Sequence, residues 1–586
     1  MSGIPSGAAI AGLGMTSLGR VFGSTQRQLA ASAVRLAATD AGLTLDDIDG
    51  LLICPGITGG LDLGLAATLG LRDLSLLAVV NTFGASAVMA VQTAAMAVTS
   101  GTARAVACVF ADTPLREGVP AGSAFGSGAD SAGPPERHGT GGLAAGYGFR
   151  NVTVHYALAA RRHMERFGTT TEQFGAVAVA QRQWAAGNPL AQYRDPITLG
   201  DHQNSRWVAE PLHLLDCSLV SNGAIAVVVT SAETAAAGPK PPVHIWGWGQ
   251  GHPGHPMAAG SEFGLITGAA QAGQAAMGMA GVTPAEITMC QLYDCYTYTV
   301  LVTLEDYGFC AKGEGGPFAA SGVLAPGGSL PVNTGGGQLS SYYMWGFTPL
   351  SEAVIQARND GGERQSAATD LILVSGNGGV LSHHGTLILS PHRGTGTRGA
   401  GTRGAGQRGG PAESDAGTAD AGTALSDPAG GGLAGGGPAG GGPAGGFPAP
   451  GSVGVIRADP RSEPFFAAAA RGELLVKRCD ECATWLGPSA SGCPACGQDA
   501  RLSWAAVSGR GTLISWSVLY SRQGGPVAVP ALVQLAEGPW LYTGLRLASV
   551  ADLAGLRAGQ PVSAEFVSPE QGESYPVFCP VGNPAA

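Results

Sequence analysis

This chain of 586 residues lacks several sequence features, and each absence excludes a class of protein. Charged residues make up only 13% of it, and the net charge of −10 has the wrong sign for a general nucleic-acid binder. No run of about 18 uninterrupted apolar residues occurs, so we expect no membrane span. The first residues hold no positive charge, so we expect no secretory signal and a cytoplasmic location.

Cysteine is also sparse and mostly scattered. The chain has 11 cysteines, and only four of them form a cluster. That distribution argues against a disulfide scaffold and fits a reducing compartment. Apolar residues make up 45% of the chain, which is enough for large cores, and its length predicts two to four domains.

Short apolar strands alternate with helical patterns over residues 1–392. This alternation predicts an α/β fold in which helices cover buried sheets. A second round of similar elements begins near Val243, so we expect two similar halves, about 1–240 and 241–392. Residues 118–148 are rich in Gly, Ser and Pro and predict a long loop, a feature that often serves as a lid or a partner contact.

The composition changes after residue 392. Residues 393–452 are a low-complexity run of Gly, Ala and Pro, which cannot bury enough apolar surface to order itself. We therefore expect a flexible linker. Its arginines lack the interleaved aromatics that favour RNA binding, so we expect no nucleic-acid partner. Residues 453–586 then alternate short strands with Gly turns, the pattern of a small β-barrel.

Two C-x-x-C knuckles stand about ten residues apart in this last region. They are formed by Cys479, Cys482, Cys493 and Cys496. Four thiolates can close a tetrahedral Zn²⁺ site, and closed sites are structural. The spacing therefore predicts a structural zinc; a metal-free remnant and a redox pair are the alternatives.

One stretch, NTGGGQLSSYYMWGF at residues 333–347, gathers three glycines, several hydrogen-bonding side chains and two tyrosines before a predicted helix. Glycines allow close backbone approach, and free N–H groups at such a turn suit a ligand. A plain connection between a strand and a helix fits the local pattern equally well.

Two family resemblances cover most of the chain. The phrases RGELLVKRCDEC, CPACG, VSGRGTLISW and YPVF resemble the DUF35 family, a zinc ribbon (about 473–500) followed by an OB fold (about 501–586) that accompanies acyl-CoA enzymes. The phrases VVNTFGASAVMAV, YDCYTYTVLVTLEDYGFC and SGNGGVLSHHGTLIL resemble the thiolase superfamily of the sterol-carrier-protein-x type. This second resemblance implies a duplicated thiolase fold in αβαβα layers, a coenzyme A thioester as substrate, and a homodimer.

The thiolase resemblance fails at the catalytic positions. The family's N-x-x-C-x-S-G becomes Asn81-Thr-Phe-Gly84-Ala-Ser-Ala, so glycine stands at the nucleophile's place. The histidine of the GHP motif falls on Tyr343, and the first residue of the NEAF or HDCF motif falls on Tyr293. The late catalytic cysteine is missing from residues 375–379. Without a thiolate, the covalent acyl-enzyme route has no nucleophile.

These replacements resemble the thiolase-fold steroid side-chain aldolases of the lipid-transfer-protein type, which work with a DUF35 partner. The resemblance implies retro-aldol cleavage of a β-hydroxyacyl-CoA to a ketone and a short acyl-CoA such as propionyl-CoA. Tyr293 and Tyr343 are then the catalytic residues. We favour Tyr343 as the base and Tyr293 as the acid or oxyanion donor, and the reverse stays open. Because a free phenol has a pKa near 10, we expect N–H donors or an ordered water to lower it.

Other residues are assigned around this pair. We expect the backbone at Gly378 and Gly379 to complete an oxyanion hole, and His384 and Asn333 to contact the substrate. A structural role fits His384 equally well. We expect Cys295 to be a neighbour of the site rather than its nucleophile. The alternatives are an acyltransferase with an unrecognised nucleophile, and a degenerate thiolase that scaffolds an acyl-CoA hydratase, a candidate partner, through the OB domain.

Overall fold

The structure, a computed structural model, describes residues 7–119, 121, 136–254, 260–394, 453–497, 501–521 and 525–581. The predicted linker at 393–452 lies outside these residues, apart from 393 and 394. We call residues 7–394 the N-terminal region and residues 453–581 the C-terminal region. No helix of the described residues is long and apolar enough to cross a membrane.

The N-terminal region alternates strands and helices. Its strands are β1 (Ala8–Met15), β2 (Gly50–Pro55), β3 (Leu76–Val79), β4 (Ala105–Asp112), β5 (Glu136–His138), β6 (Trp207–Glu210), β7 (Leu212–His213), β8 (Gly223–Ser231), β9 (Val243–Gly251), β10 (Met289–Gln291), β11 (Ile372–Gly378) and β12 (His383–Ser390). Its helices are α1 (Gln26–Asp40), α2 (Leu65–Leu69), α3 (Ser86–Thr99), α4 (Gly139–Ala144), α5 (Val152–Phe167), α6 (Thr171–Ala186), α7 (Leu199–Asn204), α8 (Ala232–Ala236), α9 (Ala269–Ala280), α10 (Thr297–Asp306), α11 (Gly315–Ala320) and α12 (Phe347–Ala357).

A nine-stranded sheet shows the predicted duplication. Its order is β10-β11-β12-β9-β1-β8-β4-β2-β3, and the halves join where β1 pairs with β9. From this junction one half runs β1, β8, β4, β2, β3. The other runs β9, β12, β11, β10 and an isolated bridge at Val332, with the same strand directions. The duplicated α/β fold predicted from the sequence is confirmed.

The helices form layers around this sheet. Helix α1 packs on β1, β8 and β4, and α9 packs on β9 and β12. Helices α3 and α12 contact each other and strands of both halves, and every residue of α12 is buried. An apolar helix surrounded by sheets and helices needs no polar face, which explains why α3 and α12 are so poor in charge. The two halves of the sheet therefore act as two layers, with α3 and α12 between them and α1 and α9 outside, which gives the expected order of helix, sheet half, helix, sheet half, helix.

Residues 136–149 correct one prediction. They were expected to belong to a long loop, but they form β5, α4 and a π-type turn at Ala145–Phe149. Strand β5 pairs in parallel with β13 (Val455–Arg457), which belongs to the C-terminal region. A three-residue strand whose partner lies far along the chain leaves no local sequence pattern.

The C-terminal region has two small sheets of its own. After β13 and α13 (Glu463–Ala469) come the strands β14 (Leu474–Cys479), β15 (Trp485–Leu486), β16 (Leu502–Val507), β17 (Arg510–Trp516), β18 (Val518–Tyr520), β19 (Pro526–Ala528), β20 (Pro530–Leu535), β21 (Trp540–Gly544), β22 (Pro561–Val567) and β23 (Tyr575–Pro580). Strands β15-β14-β16 form the ribbon, and β21-β20-β17-β22-β23 form the larger sheet. A ribbon followed by a small β domain was expected.

The C-terminal region sits against α5 and β6 of the N-terminal region. Strand β18 pairs antiparallel with β6, which extends one sheet across both regions. The Ser515 hydroxyl donates to the carbonyl oxygen of Leu158 on α5 at 2.7 Å. The guanidinium of Arg161, also on α5, lies 5.0 Å from the ring centre of Trp516. Helix α5 therefore forms part of the contact between the two regions, together with β5 and β6.

Candidate active site

The two predicted catalytic tyrosines meet. The hydroxyl oxygens of Tyr293 and Tyr343 are 3.1 Å apart, which is hydrogen-bond distance. Tyr293 follows β10, and its N–H donates to Ser375 Oγ on β11 at 3.0 Å. Tyr343 precedes α12, and its N–H donates to Ser221 Oγ at 3.0 Å. Separate parts of the fold thus hold each backbone while the two hydroxyls touch.

Gly84 explains why the Tyr293 ring fits. It lies in the short turn (Phe83–Ala85) that leads into α3. A Cβ at this position would lie 2.2 Å from Cζ of Tyr293 and 2.2 Å from the carbonyl oxygen of Asn377. The phenol ring therefore fills the volume that a nucleophile's side chain would need. The sequence identifies the two replacements separately, and the structure shows that they depend on each other.

Three further glycines close the backbone around this turn. A Cβ at Gly346 or Gly376 would lie 2.5 Å or 2.8 Å from the carbonyl oxygen of Gly84. A Cβ at Gly378 would lie 2.0 Å from the carbonyl oxygen of Thr82. Gly379 follows with a φ of +60°, where side chains are disfavoured. The predicted oxyanion residues Gly378 and Gly379 therefore lie beside the Gly84 turn; their role in catalysis stays a prediction.

Burial sets the protonation of the tyrosine pair. It raises the pKa of Tyr293 and the pKa of Tyr343 well above the usual value near 10. The expectation that neighbouring donors lower the pKa of the catalytic phenol is therefore wrong, because removal from water outweighs the hydrogen bonds. Both phenols are protonated at neutral pH. Two neutral phenols in contact are suited to donating and passing on protons; neither is suited to acting as a base that is already deprotonated before the substrate binds.

The neighbouring thiol is not a ready nucleophile. Burial raises the pKa of Cys295 to about 12, so the reactive thiolate is scarce at neutral pH. The next residue, Tyr296, packs its ring 4.6 Å from that of Tyr156, and its hydroxyl contacts Thr153 Oγ1 at 2.9 Å. Thr153 and Tyr156 lie on α5, so a helix that contacts the C-terminal region also borders the site. No sequence motif marked these two residues.

The predicted substrate contacts His384 and Asn333 have structural partners. His384 Nε2 lies 2.9 Å from the hydroxyl of Tyr307, and burial lowers the pKa of His384 to about 3. The imidazole is therefore neutral. Asn333 Oδ1 accepts the N–H of Leu292 at 2.6 Å and ties its loop to the end of β10. Contact of either side chain with the substrate stays a prediction.

The four ribbon cysteines fit a zinc ion. All four Sγ atoms of Cys479, Cys482, Cys493 and Cys496 lie within 4.8 Å of one another, and two pairs are 3.4 Å apart. Zn–S bonds of about 2.3 Å in a tetrahedron place sulfurs about 3.8 Å apart, close to this spacing. A hydrogen bond from Thr484 lowers the pKa of Cys482 to about 6, which favours the thiolate. The cluster is the one group of three or more metal-ligating side chains among the described residues.

Three family models match the chain. Residues 249–391 match the thiolase C-terminal domain-like family. Residues 466–500 match the ChsH2 rubredoxin-like zinc ribbon domain, and residues 504–567 match the ChsH2 C-terminal OB-fold domain. These matches confirm the zinc ribbon and the OB fold of the C-terminal region.

Two relatives match almost along their whole length. A protein of Thermomonospora curvata described as a steroid side-chain-cleaving aldolase is 40% identical over 387 residues, which are 64% of this chain and 97% of that protein. A Mycobacterium tuberculosis protein described as a 17-hydroxy-3-oxo-4-pregnene-20-carboxyl-CoA lyase is 37% identical over 385 residues, 63% of this chain and 96% of that protein.

Two solved structures are similar. One, titled Ltp2-ChsH2(DUF35) aldolase, is 39% identical with a TM-score of 0.58 and covers 66% of this chain and 98% of that one. A monomeric SCP2-thiolase-like protein from Mycobacterium smegmatis shares the fold at 15% identity, with a TM-score of 0.60 over 98% of this chain and 99% of that one. The chain therefore belongs to the thiolase-fold family of steroid side-chain aldolases, which are carbon–carbon lyases, and it carries the ChsH2-type zinc ribbon and OB fold in the same polypeptide.

Proposed function

We propose that this enzyme cleaves a β-hydroxyacyl-CoA by a retro-aldol reaction in which Tyr343 and Tyr293 move the proton. The observation that carries this proposal is the 3.1 Å contact of the two hydroxyls in the volume that Gly84 leaves open. The site has a proton donor and acceptor pair where a thiolase has its thiolate. Retro-aldol cleavage needs such a pair and no covalent intermediate.

The substrate class follows from the relatives. The name of the Mycobacterium tuberculosis relative places a hydroxyl at steroid carbon 17 and a carboxyl-CoA at carbon 20. Such a hydroxyl is β to the thioester carbonyl, as the reaction requires. We infer that this chain also takes a steroid side-chain thioester. Cleavage between the two carbons gives a 17-ketone and a short thioester, propionyl-CoA.

Two neutral phenols can transfer the proton for this cleavage without either of them becoming charged. The β-hydroxyl gives its proton to the oxygen of Tyr343, Tyr343 gives its own proton to Tyr293, and Tyr293 protonates the thioester oxygen. The O–H electron pair forms the ketone, and the electrons of the broken C–C bond form the enol of the short thioester. The enol becomes the thioester when it takes a proton at carbon from water and releases its O–H proton to water. Neither phenol becomes an anion, which suits groups whose pKa burial has raised.

The direction of this relay rests on Gly84. In a thiolase the nucleophile at that position attacks the thioester carbonyl carbon. The Tyr293 ring occupies this volume, which supports its hydroxyl as the donor to the thioester oxygen. That leaves Tyr343 for the β-hydroxyl and matches the assignment favoured from the sequence.

We also propose a homodimer built on the edge of the large sheet. Strand β3 ends the nine-stranded order, and its Leu77 and Val79 are 40% and 45% exposed. An unpaired strand edge with exposed apolar side chains favours a second copy of the chain as its cover. An acyl-CoA hydratase partner for the C-terminal region stays a prediction, as does the structural zinc ion that Cys479, Cys482, Cys493 and Cys496 would hold.

Product analysis tests the proposed reaction. The enzyme is incubated with a panel of β-hydroxyacyl-CoA thioesters that includes a tertiary-alcohol steroid thioester, with and without an acyl-CoA hydratase, and the products are identified by mass spectrometry. We expect a steroid ketone and propionyl-CoA in equal amounts. Acyl transfer to a second thioester, or no cleavage under any condition, would contradict the proposal.

A further inference from the structure

One buried carboxyl group beside the tyrosine pair has no part in the proposed reaction. Asp294 directly follows Tyr293, and its side chain is fully buried. Its carboxylate accepts the N–H of Gln338 at 2.9 Å and 3.0 Å, and the N–H of Leu339 at 3.3 Å. Gln338 and Leu339 belong to the connection that leads to Tyr343. One carboxylate therefore ties the segment of Tyr293 to the segment of Tyr343.

The backbone of the facing turn is shaped around this carboxylate. Gly336 and Gly337 have φ values of +93° and +59°, a conformation that favours glycine. A Cβ at Gly337 would lie 2.1 Å from Asp294 Oδ2. The two glycines thus let successive N–H groups converge on the carboxylate. A cavity of about 10 Å³, room for one water molecule, is lined by Asp294, Asn333 and Gly337.

The surroundings of Asp294 make its charge costly. Its ionisable neighbours are Tyr293 and Cys295 on its own segment, and Tyr342 and Glu352 across the cavity. Glu352 is already paired with Arg364 at 3.1 Å, and Arg182 donates to Ser340 Oγ of the facing turn at 2.8 Å. Among the described residues no salt bridge reaches Asp294. Burial raises the pKa of Asp294 to about 7, although the N–H groups of Gln338 and Leu339 oppose that shift. The ionised carboxylate of Asp294 therefore lowers the stability of the fold rather than raising it.

We propose that Asp294 is a positioning residue whose ionised carboxylate holds the hydroxyls of Tyr293 and Tyr343 within hydrogen-bond distance. It acts through the backbone of the 336–341 turn and not on the substrate. The inference rests on the proposed retro-aldol function. Protonation replaces an acceptor-only group with one that also has a proton to donate, so the turn loosens as the pH falls through about 7.

The test compares two aspartates that accept backbone N–H groups. Asp294→Asn keeps the shape and removes the charge. We expect kcat to fall about tenfold or more while KM for the steroid thioester changes less than about twofold, because geometry is lost and binding is not. The fall of kcat below about pH 7 should disappear. The control is Asp49→Asn, since Asp49, just before β2, accepts the N–H of Arg104 at 2.8 Å and that of Ala105 at 2.9 Å at the start of β4. It should lose stability and keep kcat.

Stability separates positioning from a merely structural role. A raised pKa means that ionisation of Asp294 costs stability as the pH rises from about 4 through about 7, so Asp294→Asn should unfold at a higher temperature than the wild type at pH 8. Wild-type kcat and pH profile in Asp294→Asn would overturn the inference, and so would a kcat loss matched by a lower unfolding temperature. If Asp294→Asn fails to fold, a wild-type kcat that shows no fall near pH 7 overturns it. A wild type that cleaves no β-hydroxyacyl-CoA refutes the proposed function itself.

Discussion

The Tyr293 ring fits only because residue 84 has no side chain, so the effect of adding one can be predicted from interatomic distances. A methyl group added at Gly84 would lie 2.2 Å from Cζ of Tyr293, whereas carbon atoms pack at about 3.5 Å or more. The ring must therefore move by about 1 Å or more, since the other contact, at 2.2 Å, is the backbone oxygen of Asn377. Such a shift takes the Tyr293 hydroxyl out of reach of Tyr343.

We expect Gly84→Ala to lose about 100-fold or more in kcat, because misplacement by about 1 Å has costs of this size. Overpacking should lower the free energy of unfolding by about 1–3 kcal/mol. Steady-state cleavage assays and thermal unfolding measure the two effects. Gly84→Cys should behave in the same way and gain no thiolase activity, because the added sulfur has no room.

Two comparisons make this prediction refutable. Gly278→Ala, in α9, adds a Cβ that meets nothing within 4 Å, so it should leave kcat unchanged. In a Tyr293→Phe background, Gly84→Ala should cost little further activity, because the hydroxyl that it displaces is already absent. Wild-type kcat in a folded Gly84→Ala enzyme would mean that the Tyr293 ring does not act from this position.

Three further predictions concern pH, zinc and the contact between the regions. Because burial raises the pKa of both Tyr293 and Tyr343, kcat should stay flat between about pH 8 and 10; a tenfold rise per pH unit would indicate a phenolate base instead. Elemental analysis should find one zinc per chain, and Cys482→Ser should lose the metal and lower the unfolding temperature without changing the products; altered products would point to a catalytic metal. Trp516→Ala, which removes the ring under Arg161, should lower both stability and kcat through α5; unchanged kcat in the folded variant would show that α5 does not transmit the contact.

Much of the fold, and the choice of the two tyrosines as site residues, could be predicted from local sequence patterns. The run that became α3 is long, apolar and free of charge, so its mostly buried position could be predicted from the sequence alone, whereas the complete burial of α12 could not, because its Glu and Gln side chains are typical of an amphipathic helix. The two C-x-x-C knuckles have a spacing that is typical of a zinc site and of few other cysteine functions. Tyr293 and Tyr343 stood out because they replaced histidine or asparagine inside recognisable phrases.

The rest depends on contacts that no local pattern contains. The direction of the tyrosine pKa shifts was predicted with the wrong sign, because it depends on how much water the assembled fold excludes. Strand β5 pairs with β13, which lies far along the chain, and Tyr156 reaches the site by packing against Tyr296 from a separate helix. Asp294 looked like an ordinary acidic residue beside Tyr293, since its role lies in a turn more than forty residues away.

A double-mutant cycle tests the central claim most directly. Cleavage of the steroid thioester is measured for the wild type, Tyr293→Phe, Tyr343→Phe and the double variant, with folding checked for each. A proton relay predicts that each single change lowers kcat by about 10²–10⁴ and that the double change costs little more than the worse single one. Wild-type cleavage in the double variant would contradict catalysis by the tyrosine pair.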